Sequence, residues 1–187
     1  MDADEQISYF AADFQTEGVE MNRRRFLKYG GALVIVGATA ATAAYYDWYN
    51  SKVNEEKSKN EYVVLLVNEA ANLIEREGEA CFAEFRQRDS KWFHDDFYIF
   101  VWRTDGIRVV YPPDPGGEGE DMSKLEDVNG KPIGRLFIDI ATSEVGEGWI
   151  DYEWPKPDET KPSKKHTYIK RAEFGTQRFL VGAGYYE

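Results

Sequence analysis

Between Val63 and Phe85 the apolar residues recur at steps of three and four. Val63, Leu66, Val67, Ala70, Leu73, Ile74, Cys81 and Phe85 fall on one helical face, while Glu69, Glu75, Arg76 and Arg88 fall on the other. The spacing predicts a long amphipathic helix from about Asn50 to Arg88, which Gly78 weakens only locally, by about 1 kcal/mol relative to Ala. From Asp96 onward the period changes from that of a helix to that of strands. Phe97 to Trp102 is aromatic and β-branched on both alternating faces, so this strand is expected to be covered on both sides. Thr104-Asp105-Gly106 separates it from Ile107 to Tyr111, and Asp-Gly between two such runs predicts a hairpin.

Pro112, Pro113 and Pro115 stop the second strand. The segment Gly116 to Asn129 is glycine-rich and acidic with Lys124 as its one base, which reads as a solvated surface loop, and Asn129-Gly130 is a further turn signal. Leu136, Phe137, Ile140 and Ala141 are spaced like one face of a short helix over Ile133 to Ser143. Three strands follow. In Trp149 to Trp154, Ile150, Tyr152 and Trp154 alternate with Asp151 and Glu153, giving a half-buried strand. A Pro- and Lys-rich loop, Pro155 to Ser163, leads to a strand at His166 to Arg171, and a last strand runs from Thr176 to Ala183. Long helix, hairpin, helix and three-strand meander describe an α+β domain with an antiparallel sheet.

Upstream the pattern is different. Asn22-Arg23-Arg24-Arg25-Phe26-Leu27-Lys28 is a basic patch, and it is followed by an uncharged run from Gly30 to Ala44 containing small-residue sites such as Ala41-Thr42-Ala43. These are the zones of a secretory signal. The Arg-Arg-x-Phe-Leu-Lys core resembles a twin-arginine signal, with Asn22 where that pattern usually has Ser or Thr. The resemblance implies export of a folded protein across a prokaryotic inner membrane. A retained membrane anchor is the alternative, although a span needs about 20 apolar residues. Residues 1–20 hold six acids and no base, the composition of a disordered leader, and Met21 is a candidate start. The expected organisation is an acidic leader at 1–20, a signal or anchor at 21–44, a polar helical stalk at 45–60 and one domain at 61–187.

Beyond residue 43, 19 of the 23 Lys and Arg and 28 of the 34 Asp and Glu remain, a formal charge near −9. Nucleic acid is not expected as a partner, since phosphate neutralisation needs a concentrated basic surface. Cys81 is the sole cysteine, so no internal disulfide can form, and on a helix it reads as packing rather than as a reactive thiol. Two His, one Cys and the run His94-Asp95-Asp96 give no ligand pair at zinc spacing, and the acidic loop lacks the regular ligand order of a calcium loop. There is no serine elbow, Walker loop or dinucleotide fingerprint, and neither a cofactor nor an enzyme activity is expected.

Six segments in order carry a family likeness: Trp102 to Gly106, Tyr111-Pro112, Asp127 to Lys131, Gly148 to Pro157, Lys165 to Tyr168, and Gly182 to Tyr185. Together they resemble a single Cache domain, the extracellular sensor module of chemoreceptors and sensor kinases, over most of residues 60–187. The family usually has His before Pro where this chain has Tyr111, and neither a second membrane helix nor a signalling domain is expected in this chain. The resemblance implies a PAS-like fold in which a long N-terminal helix flanks a central antiparallel sheet, with a small-molecule pocket on the other face. A separate membrane receptor or transporter is the expected partner for passing on its signal.

The residues themselves suggest such a pocket. Tyr98, Phe100 and Trp102 share one strand face, Tyr111 could lie across the hairpin, and Tyr152, Trp154 and Tyr168 add aromatic surface. Arg103, Lys164, Lys165 and His166 are the nearby cations or donors. Concave aromatic surface with a few convergent polar groups suits a small ligand, and a cation with phenol hydroxyls suits a carboxylate. The expected ligand-binding set is Tyr98, Trp102, Arg103, Tyr111, Tyr152, Trp154, Lys165 and Tyr168, although alternating aromatics also build plain cores. Phe100 and Trp149 are the ones most readily assigned to packing. Three classes remain open: an extracytoplasmic module that binds a small carboxylate or related metabolite, a structural cell-surface protein, and an exported enzyme.

Overall fold

In the computed structural model, which describes residues 31–187, the first element is one helix, α1 (Gly31–Glu77). The acidic leader at 1–20 and the basic patch Asn22 to Lys28 lie outside the described residues. Two compact units divide the chain, Met1–Val53 and Asn54–Glu187. The first carries the early part of α1, where Tyr45, Tyr46, Trp48, Tyr49 and Val53 are all exposed. Among the described residues no helix is long and apolar enough to cross a membrane.

In the second unit, Val63, Leu66, Val67, Ala70, Leu73 and Ile74 of α1 are buried in one cluster, as their period predicts. The helix ends earlier than expected. Gly78 sits at φ +61°, in the left-handed region that glycine adopts freely, and α1 stops at Glu77. A 3₁₀ turn (Gly78–Cys81) and a short helix α2 (Phe82–Phe85) continue the same apolar face, which is why the pattern reads as unbroken. Cys81 is buried, its thiol donates to the Gly78 carbonyl at 3.1 Å, and burial pushes its pKa up to about 11.

The strands β1 (Phe93–His94) and β2 (Phe97–Tyr98) form a small antiparallel pair. Beyond it come β3 (Phe100–Arg103) and β4 (Arg108–Val110), joined through Asp105-Gly106 as the hairpin signal predicts, with a bulge between Val101 and Trp102. Helix α3 (Ile133–Thr142) precedes the meander of β5 (Glu147–Pro155), β6 (Pro162–Phe174) and β7 (Gln177–Tyr186). The five-stranded sheet is antiparallel throughout, in the order β4-β3-β7-β6-β5, so the last strand inserts beside the first hairpin. This is the expected α+β arrangement, with a long helix packed on a central antiparallel sheet.

Strand alternation sorts the side chains into two clusters. Toward α1 point Val101, Val110, Ala172, Phe179, Val181 and Ala183, joined by Tyr168 and Tyr185. The opposite cluster holds Tyr98, Phe100, Trp102, Ile150, Tyr152, Ile169 and Leu180, covered by Ile133, Phe137 and Ala141 of α3. Gly182 faces this second cluster, where a Cβ would overlap the Phe100 ring and the Ile169 side chain.

Candidate functional site

On the α3 side of the sheet, Tyr98, Phe100 and Trp102 form the floor of a small cavity, with Tyr152 and Trp154 of β5 as one wall. Arg108 and Tyr111 close a second wall, and Leu125, Ile133 and Phe137 cover it. Its free volume is about 20 Å³, room for a water or two. Several ring pairs pack edge to face or tilted, with Tyr98 to Tyr111 at 5.8 Å, Trp102 to Phe137 at 5.2 Å and Phe137 to Tyr152 at 5.4 Å between centroids, while Phe100 stacks on Phe137 at 5.6 Å.

Polar atoms thread this aromatic shell. The Trp154 Nε1 donates to the Tyr111 hydroxyl at 3.0 Å, and Thr167 Oγ1 donates to the Tyr152 hydroxyl at 3.1 Å. Tyr186 donates its hydroxyl to the Pro155 carbonyl at 2.7 Å and shares a hydrogen bond with Tyr98. Burial pushes the phenol pKa values of Tyr98 and Tyr152 well above the ordinary range, which keeps both as neutral hydroxyls. Arg108 is 7% exposed, and its guanidinium donates to the Gly117 carbonyl at 2.8 and 3.0 Å, reaches Glu120 at 3.2 Å and lies 4.4 Å from the Tyr111 ring centre. A Cβ at Gly117 would overlap that guanidinium, so the loop can approach this closely only with glycine there.

Lys165 is the exceptional residue. It is 0% exposed, and its Nζ lies 3.8 Å from the Tyr98 ring centre and 4.9 Å from that of Tyr186. Among the described residues, Lys165 Nζ and Trp102 Nε1 are the buried side-chain nitrogens with no hydrogen-bond partner. Burial holds the Lys165 pKa well below the usual amine range, against a weaker upward pull from Asp96. The two ring faces offer the ammonium some compensation but not a counter-charge. An unpaired buried amine is costly to the free fold.

Five of the eight sequence-predicted residues line the cavity together: Tyr98, Trp102, Tyr111, Tyr152 and Trp154. Lys165 is not on the cavity wall but backs the Tyr98 ring that is. Arg103 is not brought to the site. It is exposed at the end of β3 and forms a fork with Asp105 two residues on, at 2.7 to 3.2 Å. Tyr168 is not brought there either. Three positions from Lys165 along a strand, it points to the other face, where it lies 5.3 Å from Trp149 and bonds Glu147.

Lys164 and His166 also lie off the site: Lys164 pairs with Glu187 at 2.7 Å, and His166 bridges Asp151 and Glu187 at 2.8 Å each. Phe100, assigned to packing by sequence, lines the cavity, whereas Trp149 is 39% exposed on the opposite face. Sequence reasoning missed Arg108, Leu125, Ile133 and Phe137. The available signal was the amphipathic pattern of α3, whose apolar face had to cover some surface of the sheet.

The acidic loop is likewise more than solvated surface. Glu118 takes a fork from Arg86 at 2.7 to 3.1 Å and accepts the Tyr111 amide at 2.8 Å, fixing the start of the Tyr111 wall. Asp127 is 9% exposed and accepts the amides of Asn129, Lys131 and Glu153 at 2.9, 2.9 and 3.1 Å, tying the loop to β5 beside Trp154. Burial alone would raise its pKa, but those three donors outweigh it and hold the carboxyl below the usual range. A Cβ at Gly134 would overlap the Met122 carbonyl oxygen, so the start of α3 is also seated tightly on this loop.

This geometry has known counterparts. A methyl-accepting chemotaxis protein of Pseudomonas putida, McpP, is 25% identical over 161 residues, 82% of this chain. The chain spans 28% of that relative's length. Solved structures that share the fold include a periplasmic sensor domain of a chemotaxis protein (TM-score 0.56, 23% identity, 70% of this chain and 96% of that one). Another is a Cache chemosensory domain solved for its recognition of carboxylic acids (TM-score 0.54, 22% identity, 75% and 96%). A methyl-accepting chemotaxis protein from Vibrio parahaemolyticus has the same fold (TM-score 0.56, 20% identity, 75% and 93%). Such homologues are sensor domains, which bind ligands and are not enzymes. The Cache domain model dCache_2 matches residues 39–187, and the chain belongs to the Cache domain family.

Proposed function

We propose that this chain is an extracytoplasmic sensor domain that takes a small carboxylate on the aromatic, α3-facing side of its sheet. The observation that carries this reading is Lys165, a fully buried amine without a hydrogen-bond partner, set against the floor of the aromatic cavity. A ligand carboxylate would supply the missing counter-charge, and Tyr98, Tyr111 and Tyr152, which line the cavity, would offer it hydroxyls as hydrogen-bond groups. The free volume of about 20 Å³ is smaller than even a two-carbon acid, so binding requires the cover of Leu125, Ile133 and Phe137 to move outward. The carboxylic acid recognised by one structural neighbour supports the same chemical class.

The finer reading follows from the same site. Among the described residues there is one five-stranded sheet with this cavity on one face, so we read the domain as a single sensing unit, preceded by a polar helical stalk at 45–60. Residues 21–44 serve as a twin-arginine-type signal or anchor that places the unit outside the cytoplasm, where a membrane receptor or transporter relays its state.

Thermal unfolding of the full chain, screened against two- to five-carbon carboxylates, amino acids and neutral analogues, tests the proposal. A ligand confined to the native state at a hundredfold excess over its Kd stabilises by about 2.7 kcal/mol. A saturable rise with carboxylates that disappears in Lys165→Met is expected. A rise with neutral analogues alone, or one that Lys165→Met leaves unchanged, would overturn the assignment.

A further inference from the structure

Four of the five residues from Tyr45 to Tyr49 are aromatic, and each is about half exposed: Tyr45 52%, Tyr46 54%, Trp48 58% and Tyr49 50%. Isolated exposed aromatics need no explanation, but here the rings touch one another, with Tyr45 lying 6.3 Å from Tyr46, 6.0 Å from Trp48 and 6.3 Å from Tyr49. Every residue from 42 to 58 is exposed, so nothing described in the chain covers this patch. At about 100° per residue the four rings occupy a broad arc of α1 with Asp47 on its far side.

Three features say what covers it. No charged residue occurs between Lys28 and Asp47, and the patch begins at the downstream end of that run. The described part of that run, from Gly31 to Tyr46, is helical and about 24 Å long, less than the ~30 Å hydrocarbon thickness of a bilayer, so it reaches the interface without making a full span. Each ring also has an apolar body and one polar tip, a phenol hydroxyl or an indole N–H, which suits the boundary between acyl chains and headgroups rather than water or a dry protein interface. A second copy of the helix is a poorer fit, because the Tyr45 and Tyr49 stripe runs at once into Lys52, Glu55, Glu56 and Lys57 without a sustained apolar seam.

We infer that Tyr45, Tyr46, Trp48 and Tyr49 form an aromatic anchor that seats α1 in the headgroup interface of a lipid bilayer. The inference is independent of the ligand site, and so is its test. The full chain is mixed with phosphatidylcholine vesicles brominated at shallow or deep positions along the acyl chain, and the emission of Trp48 is taken as the difference between the native chain and Trp48→Phe. Zwitterionic lipid removes charge attraction as an explanation for binding by so acidic a chain.

Shallow bromines are expected to quench the Trp48 emission several-fold more than deep ones. The triple variant Tyr45→Ser, Tyr46→Ser, Tyr49→Ser should lose at least tenfold in vesicle affinity while its unfolding temperature stays unchanged, since none of the three is buried in the fold. Quenching that is absent at both depths, or strongest for deep bromines, overturns the anchor. So does Trp48 shielding that appears without vesicles and grows with protein concentration, which would make the patch a contact between copies.

Discussion

Toward α1 the sheet presents Val101, Val110, Ala172, Phe179, Val181 and Ala183, and these pack on Val63, Val67, Ala70 and Ile74 of the helix. Toward α3 lie Tyr98, Phe100, Trp102, Tyr152 and Lys165, with two buried nitrogens left unpartnered and a narrow cavity between the rings. The two faces differ in what they do with buried polarity. The helix side packs aliphatic residues with the rings of Phe82, Phe85, Trp92 and Phe179 and has no unpaired buried side-chain nitrogen or oxygen among the described residues. The α3 side carries a buried amine whose neutral and charged forms are both poorly served in the free protein. A sheet that spends one face on stability can keep the other in a state that a ligand completes.

Removing a ring from the first face gives the largest expected effect. Phe179 is 0% exposed and packs edge-on against Phe82 at 5.5 Å. Phe179→Ala should cost about 3–5 kcal/mol in urea unfolding, and under folding conditions the surviving native fraction should bind carboxylate as before. If ligand affinity falls in step with stability, the faces are not separable.

Lys165→Met should act in the opposite sense. Replacing an unpartnered buried amine by an apolar side chain of similar length removes a desolvation cost, and a gain on the order of 1–3 kcal/mol is expected together with loss of carboxylate binding. A stability loss would show that Lys165 is already compensated in the free fold.

The pH dependence sharpens the same contrast. Because the folded pKa of Lys165 lies well below 10.5, the unfolded chain binds more protons between those two values, so stability rises with pH across that window. Below the folded pKa the full cost is present; above 10.5 it is gone. Lys165→Met should flatten this limb of the curve. A carboxylate that pairs with the ammonium should bring a proton with it, so calorimetry in buffers of different ionisation enthalpy is expected to detect proton uptake on binding.

Most of the first face was legible because helical period and burial coincide: all eight apolar positions read from Val63 to Phe85 lie in the helix-side cluster. The break at Gly78 was hidden because the 3₁₀ turn and α2 keep Cys81 and Phe85 in phase, and only a backbone at φ +61° reveals it. The second face was half legible. Alternation along β2, β3 and β5 identified Tyr98, Trp102, Tyr152 and Trp154, and the same rule applied to β6 separates Lys165 from Tyr168, an odd step apart. Arg103 had a local partner in Asp105, which a reading based on chemistry alone passed over. Arg108 was out of reach, since its burial depends on the Gly117 carbonyl offered by a loop whose path the sequence does not give.

The smallest effect is also the finest test of which face a tyrosine serves. Tyr152→Phe removes a hydroxyl that accepts from the buried Thr167, leaving that donor unpaired, and should cost about 1–2 kcal/mol while weakening ligand binding. Tyr168→Phe removes a hydroxyl bonded to Glu147 at a partly wet position beside Trp149, and should change stability by no more than about 1 kcal/mol with affinity untouched. The ring and its packing survive in both variants, so any difference between them comes from the hydroxyl and the side of the sheet it faces. Isothermal titration of the pair with one carboxylate decides the matter: equal affinities would remove Tyr152 from the site, and a loss confined to Tyr168→Phe would place the ligand on the helix side.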